Sequence, residues 1–303
     1  MPTTYYNFVL VVTQNFKTLS RSISLIENEV NGYEDLLLQL KSSSAKIIGI
    51  TGAPGSGKSS LVDALTGEMI NDKKKVGVLC VDPSSPFNKG ALLGDRIRMS
   101  KWYNHPNVFI RSLATRGSLG GLHPKIIEIT DVMKAAGFDY IIIETVGVGQ
   151  SEVEIAALAD TTVVVLVPEG GDEVQSMKAG LMEIADIFVV NKADRPDADV
   201  FVKNLRYMLA PVFSNHDYEI PVLKTVAVQK KGIDILMEKI KQHQEINNTS
   251  TKKNSLLAEK AFYIIRQHRM KNVDKIILKK EIEKESKKDN FNLYRFLTNY
   301  INQ

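Results

Sequence analysis

The 303-residue chain has a single cysteine and a single tryptophan. It also lacks any apolar run near the roughly 18 residues that a membrane span needs. Its unbroken apolar stretches, such as Val163 to Val167, are of strand length. A lone Cys80 can build neither a disulfide framework nor a multi-cysteine metal site, and it suits a reducing compartment. Met1 to Val12 carry an apolar patch without a basic flank or a small-residue cleavage signature, so no secretory leader is expected and a cytoplasmic location is. Nor does one sign of charge dominate: 39 Lys and Arg face 35 Asp and Glu, a formal net +4. With 44% hydrophobic residues the chain has ample core material, which excludes a disordered or collagenous protein. Its length corresponds to about two domains, or one domain with appendages.

The charge that is present is unevenly placed. From Thr251 onward there are 13 Lys and Arg against 6 Asp and Glu. Leu293, Tyr294, Leu297 and Ile301 recur there at helical spacing, and Glu281, Glu283 and Glu285 interrupt the basic residues. Solvated helices therefore account for the segment better than a nucleic-acid tail does. At the other end, Leu19, Ile23, Ile26 and Val30 predict one helical face, broken at Asn31-Gly32, with a second short helix over Leu36 to Leu40. In between, the texture changes to β-branched runs at Lys46–Thr51, Val76–Val81, Val108–Arg111, Tyr140–Glu144, Thr162–Val167, Ile187–Val190 and Val222–Thr225. Most are apolar on both faces, as parallel strands covered by helices on each side must be. The expected fold is α/β, a doubly wound, mostly parallel sheet with helical extensions at both ends. The expected domains are 1–44, 45–245 and 246–303, with a polar linker at Asn247 to Ser250.

One loop carries strong chemistry. Gly52-Ala53-Pro54-Gly55-Ser56-Gly57-Lys58-Ser59 fits G-x-x-x-x-G-K-[ST] between a strand and a helix, with Ser60 next along. Its glycines let backbone N–H groups curl around a β-phosphate at a helix N-terminus. Lys58 is expected to reach the β- and γ-phosphates, and the Ser59 hydroxyl to ligate Mg²⁺. Asn191-Lys192-Ala193-Asp194 follows another strand. A carboxylate at Asp194 accepts from the ring N–H and 2-amino group of guanine, a pair of donors that adenine lacks, so GTP is expected over ATP. Asp82 and Glu144 stand at two further strand tips, placed to hold Mg²⁺ or orient water, and Gly147 offers a backbone N–H to the γ-phosphate. Arg96, Arg98 and Arg116 are candidate phosphate or partner contacts.

Further motifs carry a family resemblance. These are Val81-Asp82-Pro83-Ser84-Ser85-Pro86-Phe87, Leu93-Gly94-Asp95-Arg96-Ile97-Arg98-Met99, Thr115-Arg116-Gly117-Ser118-Leu119-Gly120-Gly121-Leu122, Glu144-Thr145-Val146-Gly147-Val148-Gly149-Gln150-Ser151-Glu152 and Gly171-Asp172-Glu173-Val174-Gln175-Ser176-Met177-Lys178. With the phosphate loop they resemble the MeaB/ArgK GTPases, chaperones of cobalamin-dependent methylmalonyl-CoA mutase. The resemblance implies a SIMIBI-class P-loop GTPase that forms a homodimer partly through its C-terminal helices. It implies Mg²⁺ on Ser59, Asp82, Asp95 and Glu144, and no tightly bound cofactor of the chain's own. It further implies that GTP hydrolysis gates adenosylcobalamin loading on a partner acyl-CoA mutase; from the composition, no nucleic-acid or membrane partner is expected. Lys89-Gly90 stands where the family has paired glycines. Thr225-Val226-Ala227 replaces its S-A guanine-closing loop, assigned here to Val226, Ala227 and Val228.

Two other classes compete. A nickel-handling metallochaperone shares such a domain but needs Cys/His clusters, whereas His105, His123, His216, His243 and His268 are scattered and none is at ligand spacing from Cys80. A P-loop kinase of the arginine/ornithine transport type would favour ATP, against Asp194.

Overall fold

The computed structural model describes residues 15–82, 99–116, 122–147, 151–169, 184–213, 220–246, 250–270, 273–288 and 290–301. Seven strands form one sheet: β1 Lys46–Thr51, β2 Val76–Asp82, β3 Val108–Ala114, β4 Tyr140–Glu144, β5 Thr161–Leu166, β6 Ile187–Val190 and β7 Val222–Lys224. Their order is β3-β2-β4-β1-β5-β6-β7, and every ladder is parallel. The sequence places each strand within a few residues. β3 runs on to Ala114 because Arg111, Ser112 and Leu113 stay in register with β2.

Helices cover both faces. On one lie α3, Lys58–Asn71, and α7, Ile233–Ile246, whose Leu61, Leu65, Met69, Leu236 and Ile240 pack with Ile48, Ile50, Val78 and Val163. The other face carries α1 Phe16–Glu27, α4 Ile126–Ala135, α5 Ser151–Leu158 and α6 Ala198–Phe213. Phe201, Leu205 and Leu209 of α6 bury Val164, Phe188 and Val190. Gly49 in β1 has no room for a side chain, since a Cβ would lie 2.5 Å from Ile155 of α5.

At the N-terminal end, Asn15 caps α1 through its side chain, and Leu19, Ile23 and Ile26 are buried. Val30, expected on the same face, is exposed: α1 stops at Glu27 and Val30 belongs to the turn that follows. The second short helix, α2, is Tyr33–Leu38, so it begins and ends earlier than Leu36 to Leu40.

Residues Met1–Lys253 form one compact unit and Asn254–Gln303 another. The second contains most of α8, Ser250–Met270, with α9, Lys275–Glu285, and α10, Leu293–Ile301. Ser250, expected in a linker, is helical. Among the described residues, no helix is long and apolar enough to cross a membrane.

Candidate nucleotide site

Parallel strands point their C-terminal ends the same way, and the crevice outside those ends is where open α/β sheets bind ligands. β1 ends in the phosphate loop, and β4 and β2, successive neighbours on one side, end in Glu144 and Asp82. On the other side, past β5, β6 leads into Asn191 and β7 into Thr225.

The loop's backbone is built around its glycines. Gly52 has φ +140°, and a Cβ there would sit 2.1 Å from the Val165 carbonyl oxygen. Gly57 has φ +92° and abuts the Asn191 amide, which a Cβ would meet at 2.3 Å. Pro54 and Gly55 are exposed, Ala53 and Ser60 are half-buried, and Ser56 and Ser59 are buried. The buried Lys58 folds back onto its own loop, donating from Nζ to Gly52 O at 2.8 Å and Ala53 O at 3.0 Å.

Ser59 Oγ donates to Glu144 Oε1 at 2.7 Å, so the expected metal-binding hydroxyl and one carboxylate already meet. Asp82 is buried, two residues beyond the position that pairs with Glu144. A hydroxyl and two carboxylates, all oxygen donors, suit Mg²⁺, which takes one or two protein carboxylates and completes its shell with phosphates and water. Among the described residues, no three His, Cys, Asp or Glu side chains gather as a protein-only metal cage. Asp95 lies outside the described residues, as do Arg96, Arg98, Lys89 and Lys178.

Gly147 has φ +82°, and a Cβ on it would lie 2.2 Å from Gly52 O and 2.6 Å from Lys58 Nζ. Its backbone therefore rests directly against the phosphate loop, where only glycine fits.

On the opposite side, Asn191 ties three segments together. Its Nδ2 donates to Ser56 O at 2.9 Å, while its Oδ1 accepts from the Thr225 hydroxyl and the Ala227 N–H, each at 3.1 Å. Lys192, at φ +55°, donates from Nζ to Gly55 O at 2.8 Å. Ala193 N–H donates to Thr225 O, which sets the exposed Asp194 beside this turn. Val226 and Ala227 are buried and Val228 is exposed. Val226 brings no hydroxyl of its own, but that of Thr225, one residue earlier, reaches Asn191.

Arg116 contacts helix α1. It donates to Glu27 O at 2.6 Å, Glu27 Oε1 at 3.2 Å and Asn28 Oδ1 at 2.9 Å, while Arg111 pairs with Glu27 Oε2 at 2.7 Å. In this geometry it ties its strand end to helix α1 and makes no case for a phosphate contact. Cys80 is buried in the core of β2, and His243 is buried between Thr161 and Asp186. Sequence reasoning missed the hydroxyl pair Thr51–Thr145, joined at 2.9 Å. Its one signal was a threonine at the end of the apolar run of β1 and another directly after Glu144 at the tip of β4.

The family model described as methylmalonyl-CoA mutase-associated GTPase MeaB matches residues 19–282. The chain belongs to this family. It is 47% identical over 249 residues to a Pyrococcus horikoshii protein named as a GTPase, covering 80% of this chain and 77% of that one. It is 36% identical over 228 residues to the GTPase ArgK of Escherichia coli, covering 72% and 69%. The crystal structure of an LAO/AO transport system kinase superposes over all of both chains with a TM-score of 0.71 at 24% identity, a likeness of fold. The MeaB-family chain is thus a GTPase on an α/β P-loop scaffold.

Proposed function

We propose that this GTPase binds GTP·Mg²⁺ at the crevice between β1, β4 and β6 and uses hydrolysis to gate adenosylcobalamin loading on a cobalamin-dependent acyl-CoA mutase, methylmalonyl-CoA mutase first among them. The observation that carries the reading is the junction of Gly52, Lys58, Ser59, Glu144 and Gly147, at which a phosphate loop and a carboxylate-bearing strand end touch. Lys58 exchanges its carbonyl partners for β- and γ-phosphate oxygens, and Gly147 N–H approaches the γ-phosphate. Ser59, Asp82 and Glu144 hold Mg²⁺, with Asp95 added by the family resemblance. The metal neutralises charge on the phosphates when bound. Asp194 reads the guanine edge, and Val226, Ala227 and Val228 close the other side of the base. The family's association with methylmalonyl-CoA mutase supports the choice of partner.

We assign the homodimer to the 246–303 segment, where Leu257, Phe262, Ile265, Ile276 and Ile277 are exposed apolar residues. The reading places the protein in the cytoplasm, without nucleic-acid or membrane partners. A nickel-chaperone reading is disfavoured because the lone thiol is inside the core.

Unaided hydrolysis is expected to be slow. Val148 follows Gly147 where other GTPases place a water-orienting glutamine, and Arg116 is engaged with Glu27. An arginine supplied through a partner raises such rates by roughly 10³–10⁵. The test is capture from native lysate with the GTP-analogue and GDP forms, followed by GTPase assays with the recovered protein. A mutase that binds differently in the two states and stimulates turnover is the expected result. Recovery of a hydrogenase or urease component would overturn the reading.

A further inference from the structure

Thr51 closes β1 and Thr145 follows β4, and Thr145 Oγ1 donates to Thr51 Oγ1 at 2.9 Å. Both side chains are buried, Thr51 completely and Thr145 to within 1%. The two strands pair in parallel up to Ile50 opposite Glu144, and Thr145 N–H donates to Ile50 O at 3.0 Å, so the hydroxyl bond is the next rung of the ladder. Packing alone does not call for hydroxyls here. Valine has nearly the same shape, and the buried apolar residues of β1 and β4 are isoleucine, at 47, 48, 50 and 141 to 143.

What distinguishes the pair is its neighbours. Thr51 immediately precedes Gly52, the first residue of the phosphate loop, and Thr145 lies between Glu144 and Gly147. Gly147 fits against Gly52 O and Lys58 Nζ so closely that a single added carbon would clash with both. The separation of the two strand tips therefore sets the position of Gly147 N–H relative to the loop. We propose that the Thr51–Thr145 hydroxyl pair is a positioning device that fixes this gap and so sets how strongly the site favours GTP over GDP. The proposal rests on the reading of Gly147 as the γ-phosphate contact. The contacts made by the loop backbone and Lys58 do not pass through β4, whereas the Gly147 contact to the γ-phosphate does. The pair accordingly acts on the difference between the two nucleotides.

The test uses the full chain and calorimetry with GDP and with a non-hydrolysed GTP analogue, alongside GTP turnover. Thr145→Val and the double variant Thr51→Val/Thr145→Val are compared with the parent and with Thr145→Ser. Replacing both partners by apolar groups of the same shape is close to neutral for folding, so the double variant reports on the site even where a single variant leaves a buried hydroxyl unpaired. The expected result is GDP affinity within about twofold of the parent. Analogue affinity should be weaker by roughly three- to tenfold, the scale of one neutral hydrogen bond, with turnover falling and Thr145→Ser restoring both. Equal losses for the two nucleotides, or no loss in the double variant, overturns the proposal. A Gly147→Ala control that binds the analogue like the parent overturns the γ-phosphate reading itself, and the proposal with it.

Discussion

Replacing Asn191 by alanine removes three side-chain hydrogen bonds at once: the donation to Ser56 O and the two acceptances from Thr225 and Ala227. The residue is 2% exposed, so its former partners stay away from water. At about 0.5–1.5 kcal/mol net per bond the loss sums to roughly 1.5–4.5 kcal/mol. The backbone donation from Asn191 N–H to Leu166 O at 2.8 Å survives, so β6 itself keeps its place. Urea unfolding is therefore expected to show a lower midpoint with an unchanged slope, because the same surface is exposed on unfolding. Guanine-nucleotide affinity measured by calorimetry is expected to fall at least tenfold, since the phosphate loop and the Thr225 turn lose their common tie. Asn191→Asp keeps both acceptor roles but sets a carboxylate against the Ser56 carbonyl, and it should be destabilised comparably. A stability loss in Asn191→Ala below about 0.5 kcal/mol would refute the idea that this amide holds the two halves of the site together.

Three further outcomes are expected. Lys58→Ala should lose tight GTP binding in calorimetry yet retain a cooperative melt, because its ammonium rests on two loop carbonyls and fills no core position. Asp194→Asn should weaken GTP ten- to a hundredfold, the cost of a charge-assisted hydrogen bond at about 1.5–3 kcal/mol, and gain xanthosine triphosphate, as a competition titration would register. Burial holds His123 down to about 4 from its usual 6.5, helped by Arg116, Lys125 and Arg111 and opposed by Glu27. Because the folded value is the lower one, the neutral ring's stabilisation is complete above pH 6.5 and is lost as pH falls toward 4. Urea unfolding should show about 2 kcal/mol less stability at pH 5 than at pH 7 from this ring, and His123→Asn should remove that difference.

The sheet was legible because its strands are buried on both faces, and buried parallel strands must be written as unbroken β-branched runs such as Ile141 to Ile143 and Val163 to Val165. The phosphate loop and Asn191 were legible because their chemistry is local, a few consecutive residues at one strand end. Contacts fixed by register were not. Thr51 and Thr145 are 94 residues apart, and neither says that the other is its neighbour until β1 and β4 are known to adjoin. Arg116 illustrates the same limit. Its partners Glu27 and Asn28 lie in a helix end almost ninety residues earlier, and without that end the side chain resembles a free cation near a phosphate site. Val30 was misread because helical spacing continues through it on paper, whereas the helix has already ended at Glu27.

Two cations of the site are hydrogen-bonded to the phosphate loop itself. Lys58 and Lys192 each donate to carbonyls of the loop they serve, at Gly52, Ala53 and Gly55. The loop conformation is meanwhile held by features that need no ligand: left-handed glycines at 52, 55 and 57 and the Asn191 amide on Ser56. Nucleotide binding therefore has to move the lysine heads and leave the loop backbone where it stands. That division predicts that mutations at Asn191 act through the backbone and mutations at Lys58 through charge.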